Sequence, residues 1–414
     1  ILRLRPYEKL ADNHFLSSIA PGRPDSDRFL HELLEEFLPC FSAPYFHMNA
    51  DETWDIKEAH DSRSQARIEK LGFARVYLDH VVRVGRMAEK YGKRPILWAD
   101  MLQKYQDTFA RLPKEFIPNF WGYEDKEEFI AAPMAGRHGL AGWISPSVSA
   151  HDALFCRLDN AKLNIREAAR IAGGNGLEAL MNTVWWGGWR AIIGRRAAHG
   201  AKLYAEYHAC LVKRPSPGSL SLPAGAWHGI AYGGECAWRL PPQSDPSFER
   251  RLVHLFYGKD IPALAEAWRL LGTCYKRAGI DRFNTTNQPE LYKEMPSKAH
   301  MCFESTSKNL AAMRAAAAEA GKLWRRFMPV GGLDPRLGPE FLLASDLTCW
   351  TADKALLTLA GGKAKLKWKK LLERHVGLME RYLAGLRARC PAVIARLAEK
   401  RLRSFHKDLK KDRG

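Results

Sequence analysis

One short segment, residues 45–54, constrains the fold of this chain more than any other. Residues 45–50 are mostly apolar or aromatic and follow a Ser-Ala-Pro break, which is typical of a short buried strand. Two adjacent carboxylates, Asp51 and Glu52, come at the carboxyl end of this strand. Because neighbouring side chains of a regular strand face opposite ways, the pair can share a target only where the strand leaves its pleat. Active sites of parallel α/β barrels lie at such strand ends.

The alternative interpretation of this acidic pair is a helix N-terminus, with Asp51 as the cap and Glu52 in the first turn. Two ionised carboxylates in one cleft raise each other's pKa, so the pair is costly unless it has a task. Taken alone, the pair slightly favours the helix cap. The choice therefore depends on the rest of the chain.

Strand and helix patterns alternate through the first half of the chain. Further strands are predicted at residues 94–99, 116–121, 140–145 and 178–185. Helical spacing of apolar residues predicts one long helix within 62–91, ended by Gly92, and another at 164–174. This alternation implies a parallel sheet. Beyond Gly200 the patterns are helical, with a helix at 227–238 and a helical extension over 248–414.

The motifs at the strand ends resemble those of β-N-acetylhexosaminidases, glycoside hydrolase family 20. Residues 47–54, which read HMNADETW, resemble that family's His-x-x-Gly/Ala-Asp-Glu signature. Four more segments resemble the family's later strands in the same order, namely residues 92–101, 120–123, 142–147 and 179–185. The Asp-Glu-Thr-Trp and Trp-x-Tyr variants are similar to those of the hexosaminidase D-like branch. Five motifs in order with barrel-like spacing make a specific resemblance over roughly the first half of the chain.

The resemblance and the strand count together predict an α/β fold that contains part of a TIM (β/α)8 barrel. About the last five strands fall within residues 1–240, and residues 241–414 form an α-helical C-terminal extension with a basic tail. A closed barrel has eight strands, so we expect an N-terminally truncated barrel that lacks three units of ~30 residues each. The family's sugar-binding Arg of the first strand and a His after the third have no counterpart here. We therefore expect the 414 residues alone to show little or no turnover.

The resemblance implies an exo-β-N-acetylhexosaminidase that removes terminal β-linked N-acetylhexosamine by a substrate-assisted, retaining mechanism. In that mechanism the substrate's own acetamido oxygen attacks the anomeric carbon, which suits adjacent carboxylates better than the usual separated pair. Glu52 would act as general acid and then as base, and Asp51 would orient the acetamido group. A charged Asp51 would help keep Glu52 protonated. With the motif included, catalysis outweighs a cap or a surface ion pair.

Three tryptophans at strand ends, Trp98, Trp121 and Trp185, predict the wall of a sugar pocket. Their faces are apolar enough to hold an acetamide methyl group and a sugar ring. A buried core position is the ordinary interpretation of any one of them. Three at strand ends together favour the pocket.

Three further residues complete the predicted substrate-binding set. Asp100 would accept a sugar hydroxyl or orient Glu52, although a strand-end cap is nearly as good an interpretation. Tyr123 is the best local candidate to hydrogen-bond the attacking acetamido oxygen. His47 lies within the strand, and there we expect a hydrogen-bonded core histidine rather than a proton carrier.

The chain departs from the family pattern at two positions. Gly187 stands where many members place an acidic residue for the 4- and 6-hydroxyls, so the preference between glucosamine and galactosamine stays open. Asn49 replaces the usual Gly before Ala50. Neither change touches the acidic pair.

Charge and cysteine usage limit the other function classes. The net charge is +18, and +12 of it lies in residues 351–414, which hold 18 Lys and Arg against 6 Asp and Glu. A solvated helical face is the preferred interpretation of this tail over a polyanion-binding surface, because no nucleic-acid-binding fold is recognisable. No apolar run approaches ~18 residues, so no membrane span is expected. Eight scattered cysteines without Cys-x-x-Cys argue against a zinc site and favour a reducing, cytoplasmic compartment.

The predicted partner is a glycan that contains N-acetylhexosamine, with no metal, cofactor, nucleic acid or membrane. One rival is a catalytically silent glycan-binding or interaction protein that keeps only a residual pocket. Another is a basic, polyanion-binding protein that contains half a barrel. The natural glycan, its linkage and the oligomeric state stay open.

Overall fold

The computed structural model describes most of the chain, namely residues 2, 4–125, 129–151, 153–185, 222–240, 245–279, 281–282, 285–286, 291–292, 295, 305–327, 337–361, 365–388 and 392–412. Five parallel strands form one sheet in chain order: β1 (Tyr45–His47), β2 (Arg94–Trp98), β3 (Ile117–Trp121), β4 (Trp143–Ser145) and β5 (Ala179–Leu180). Because consecutive strands of the sheet are parallel, their carboxyl ends meet at one edge. The predicted partial barrel of five strands is confirmed.

Seven helices accompany these strands in the described residues. They are α1 (Pro24–Phe37), α2 (Trp54–Glu58), α3 (Gln65–Leu71), α4 (Phe73–Glu89), α5 (Asp100–Lys104), α6 (Pro133–Arg137) and α7 (Leu158–Gly174). Buried apolar side chains of β2, β3 and β4 pack against α4 and α7 in one core, for example Leu97, Phe120 and Ile144. Parallel strands buried beneath helices explain why β2 and β3 read as nearly continuous apolar runs.

The long helix predicted within residues 62–91 is in fact two helices. Gly72 has a φ of +79°, a left-handed backbone conformation that ends α3, and α4 begins at the next residue. Glycine adopts this conformation without steric cost, so it breaks a helix whose apolar spacing continues on both sides. Gly92, with a φ of +70°, follows the end of α4 as expected.

The C-terminal region is helical, as predicted. Its helices are α8 (Ala226–Trp238), α9 (Asp245–Tyr257), α10 (Pro262–Arg277), α11 (Ser307–Phe327), α12 (Leu337–Leu359), α13 (Lys365–Arg387) and α14 (Ala392–Lys411). One antiparallel pair of two-residue strands, β6 (Asp281–Arg282) and β7 (Thr285–Thr286), was not foreseen. Among the described residues, no helix is both long and apolar enough to cross a lipid bilayer.

Helix α7 joins the half-barrel to the C-terminal helices. One side of α7 packs on the sheet, while Leu158, Ala161 and Ile165 belong to a second core that extends to α14. Gly272 of α10 lies so close to Leu158 that a Cβ there would meet the leucine Cγ at 2.1 Å. The domain boundary at residue 240 stays a prediction. Helix α7 packs against the sheet on one side and against the C-terminal helices on the other. Its N-terminal end therefore has a fixed place beside the strand ends.

Candidate active site

The backbone after β1 leaves the strand through residues in the left-handed region. Asn49 has a φ of +62°, Ala50 of +69° and Glu52 of +50°. Asn tolerates this region, whereas Ala and Glu are strained in it by roughly 1–2 kcal/mol each. Strain of this kind concentrates at functional sites, where surrounding contacts hold it in place.

Contacts from neighbouring elements hold this turn. The Trp98 N–H donates to the Asn49 carbonyl at 3.0 Å, and the Tyr77 hydroxyl donates to the Ala50 carbonyl at 2.9 Å. Helix α2 begins only at Trp54, with Thr53 at its N-cap position, so Asp51 is not the helix cap. The pair therefore lies in a loop, where both carboxylates are free of strand alternation. Outside the pleat of the strand, both side chains can face the same substrate.

The two carboxylates occupy different environments. Asp51 is half-buried and Glu52 is exposed. Burial, together with the nearby charges of Asp100 and Glu52, raises the pKa of Asp51 to about 6. Different environments allow two neighbouring acids different tasks.

Asp100 ties the end of β2 to the acidic pair. It is the first residue of α5, and its Oδ2 accepts a hydrogen bond from the Glu52 N–H at 3.0 Å. Burial raises the pKa of Asp100, while hydrogen bonds to Glu52 and to the Trp121 side chain lower it in part. Asp100 thus holds the backbone at Glu52 and also accepts hydrogen bonds at the start of α5, and its role towards a substrate stays a prediction.

The predicted aromatic residues form one connected group. Trp98 lies 4.3 Å from His47 and 6.4 Å from Trp185, measured between ring centroids. Tyr123 stacks on Trp121 at 5.1 Å and lies 6.4 Å from Trp185. Trp98 is only 5% exposed, whereas Trp185 is 40% exposed, so Trp185 offers the open face. The ends of four strands thus contribute to one aromatic surface.

His47 fits the expectation of a hydrogen-bonded core histidine. Its Nδ1 accepts a hydrogen bond from the Asn49 N–H at 3.1 Å, and its Nε2 lies 3.3 Å from the Asn119 amide nitrogen. Burial lowers the pKa of His47 to about 4, so the ring is neutral near pH 7. Asn119 also accepts a hydrogen bond from the Ser145 hydroxyl at 2.8 Å. His47 therefore connects β1 to β3 and β4.

Sequence reasoning missed several polar residues that support this site. Tyr77 falls within the helical apolar spacing of residues 62–91, yet its hydroxyl holds the turn at Ala50. Glu124, Arg157, Asn160 and Asn164 hold the loops after β3 and β4. Arg157, Asn160 and Asn164 are three and four residues apart. This spacing of polar residues on one face of α7 is the signal that the sequence offers. Gly187 lies outside the described residues.

One group of potential metal ligands occurs in the described part of the chain. Donor atoms of His14, His60 and Asp61 lie within 4.8 Å of one another. His14 Nδ1 is 2.5 Å from Asp61 Oδ1, a hydrogen-bonding distance that accounts for this pair without an ion. The group is separate from Asp51 and Glu52.

Comparisons with known proteins give one family match and similar solved structures. The family model "Glycosyl hydrolase family 20, catalytic domain" matches residues 5–140. Among solved structures, the chitobiase of Flavobacterium johnsoniae is similar, with 14% identity and a TM-score of 0.33. The similarity covers 86% of this chain and 56% of that one, so this chain spans little more than half its length. No curated protein matches.

The family match contains most of the site. Residues 5–140 include β1, β2 and β3 with the acidic pair, Asp100 and Tyr123, whereas Trp185 lies beyond the matched range. The finer likeness to the hexosaminidase D branch has no support from these comparisons. Residues 5–140 are thus similar to the catalytic domain of glycoside hydrolase family 20.

Proposed function

We propose that the protein is an exo-β-N-acetylhexosaminidase of the hexosaminidase D-like branch, which acts by substrate assistance. The observation that carries the proposal is the loop after β1, where half-buried Asp51 and exposed Glu52 lie beside Asp100. Adjacent carboxylates cannot flank a glycosidic bond in the way that most glycosidases require. Adjacent carboxylates can both act on a substrate whose own acetamido oxygen is the nucleophile.

Each carboxylate has its own task in this proposal. Glu52 protonates the leaving oxygen and afterwards activates water as a base. Asp51 accepts a hydrogen bond from the acetamido N–H and stabilises the positive oxazolinium-like intermediate that forms. Asp100 fixes the backbone of Glu52 and so directs its side chain.

The aromatic group supplies the pocket. Trp121 and Trp185 present apolar faces to the sugar ring and the acetamide methyl group, and the buried ring of Trp98 lies beside Trp185. Tyr123 lies between Trp121 and Trp185. Its hydroxyl donates a hydrogen bond to the acetamido oxygen. The expected substrate is a glycan that ends in β-linked N-acetylhexosamine.

A leaving-group comparison tests the two roles. The protein assayed is the full product of the gene that encodes these 414 residues, called the complete gene product below. Glu52→Gln should slow aryl N-acetylglucosaminides with poor leaving groups far more than those with good ones, because a good leaving group hardly needs an acid. Asp51→Asn should slow both kinds alike, by about 100-fold or more, because it weakens stabilisation of the intermediate.

Asp79→Asn is the matched control, since Asp79 forms an ion pair with Arg75 on α4. It should leave the rates of both kinds of substrate unchanged. A Glu52→Gln loss that is independent of the leaving group would contradict the acid role. Binding of N-acetylglucosamine without any turnover would favour the silent glycan-binding alternative.

A further inference from the structure

Two asparagines of α7 hold the backbone of the loop that carries Tyr123. Asn160 Nδ2 donates to the Tyr123 carbonyl at 2.6 Å, and the Asp125 N–H donates to Asn160 Oδ1 at 2.9 Å. Asn164 Nδ2 donates to the Glu124 carbonyl at 2.8 Å. Residues four apart lie on the same face of a helix, so both amides reach one loop. Three consecutive residues are thereby fixed beside the aromatic surface.

The same two side chains also hold the loop after β4. The Ser147 N–H donates to Asn164 Oδ1 at 2.9 Å, and Asn160 Nδ2 lies 2.7 Å from the Ser149 hydroxyl. Ser149 has a φ of +54°, and its carbonyl accepts the Arg157 N–H at 3.1 Å. The relative positions of two strand-end loops therefore depend on one turn of α7.

A buried ion pair closes this arrangement. Arg157 donates two hydrogen bonds to the Glu124 carboxylate, at 2.7 Å and 3.1 Å. The side chains of Arg157 and Glu124 are 2% and 9% exposed, and Asn160 and Asn164 are 3% and 1% exposed overall. A bidentate pair shielded from water is rigid and directional. The residue next to Tyr123 is thus anchored at its carbonyl and at its side chain.

We propose that Asn160 and Asn164 are positioning residues for Tyr123, an inference that rests on the proposed substrate-assisted function. Attack by the acetamido oxygen requires that the acetamide be held in one orientation over the anomeric carbon. A displacement of about 1 Å at a positioning group costs on the order of 100-fold in rate. By fixing the loop from α7, the asparagines set where the Tyr123 hydroxyl meets the acetamido oxygen. They do not touch the substrate themselves.

A double-mutant cycle on the complete gene product tests this coupling. Asn160→Ala should lower kcat for 4-nitrophenyl N-acetyl-β-glucosaminide by about 10- to 100-fold, with a much smaller change in KM. Tyr123→Phe should give a loss of similar size. In the Tyr123→Phe protein, Asn160→Ala should add almost no further loss, because the hydroxyl that it positions is gone.

The matched control is Asn175→Ala at the other end of α7. Asn175 Nδ2 donates to the Ile171 carbonyl at 2.9 Å, and the residue is exposed and far along the helix from the loop. Its removal should leave kcat and KM unchanged. Should Asn160→Ala fail to fold, Asn164→Ala serves in the same cycle, because it removes the donor to the Glu124 carbonyl in the same loop.

The outcomes separate the inference from the function on which it rests. If the losses at Asn160 and Tyr123 multiply, or if Asn160→Ala lowers only the melting temperature, the positioning role is wrong. In both cases the parent enzyme would still require the acetamide. If the parent hydrolyses plain glucosides equally well, the proposed function itself fails.

Discussion

The backbone N–H of Glu52 donates a hydrogen bond to Asp100 Oδ2 at 3.0 Å, which joins the ends of β1 and β2. Glu52 has a left-handed backbone, so this bond helps to hold a conformation that its side chain disfavours. Asp100 thereby helps to hold the strained backbone of Glu52 in place.

The first prediction compares two substitutions of Asp100. Asp100→Ala removes the acceptor and should lower kcat/KM by about 100-fold, because Glu52 loses its orientation. Asp100→Asn keeps an oxygen that can accept the Glu52 N–H, so it should retain most of the activity. Kinetics of the two purified variants check this, and equal losses in both would show that the charge of Asp100 matters rather than its hydrogen bond.

The second prediction concerns pH, through the raised pKa of Asp51. The folded protein keeps a proton on Asp51 up to about pH 6, whereas the unfolded chain releases it near 3.8. This group therefore makes the protein less stable as pH rises from about 4 to 6, by on the order of 1–2 kcal/mol after solvent screening. Urea unfolding at pH 4.5 and pH 7 should show that Asp51→Asn stabilises the protein more at pH 7.

The titration of Asp51 should also appear in the pH dependence of kcat/KM. If Asp51 acts as the anion, kcat/KM should rise as pH increases through about 6, and Asp51→Asn should lack that limb. A pH profile of identical shape in the parent and the variant would exclude Asp51 as the group that titrates.

The third prediction concerns backbone strain at Ala50. Ala50 has a φ of +69°, so Ala50→Gly should stabilise the protein by about 1 kcal/mol. The control is Ala59→Gly, because Ala59 has a φ of −76° and glycine there should destabilise by about 0.5–1 kcal/mol. Chemical denaturation measures both. Changes of the same sign would mean that strain at Ala50 is not the dominant effect.

The sheet could be predicted from sequence because each strand is a short buried run that ends in distinctive residues. Residues 94–98 and 117–121 are strands almost to the residue expected, since burial on both faces leaves little room for polar residues. The helix break at Gly72 could not be read from apolar spacing. That spacing continues across it, and only the backbone angle reveals it.

The sequence predicted the residues that are proposed to act on the substrate, but not the residues that hold them in place. Asp51, Glu52 and the three tryptophans can be recognised in the sequence by their residue types and by their positions at strand ends. Asn160 and Asn164 look like ordinary polar residues of a helix, because their task depends in part on a loop 35 to 40 residues away in the chain. Partners so distant in sequence are brought together only by the folded sheet.

The most direct test of the central claim compares two substrates that differ only in the acetamide. The complete gene product should release 4-nitrophenol from the N-acetyl-β-glucosaminide and leave the plain β-glucoside almost untouched, a difference of about 1,000-fold or more in kcat/KM. The reason is that only the first substrate carries the internal nucleophile that Asp51 and Tyr123 are proposed to hold. Equal hydrolysis of the two substrates would contradict substrate assistance, and with it the roles given to Asp51 and Tyr123.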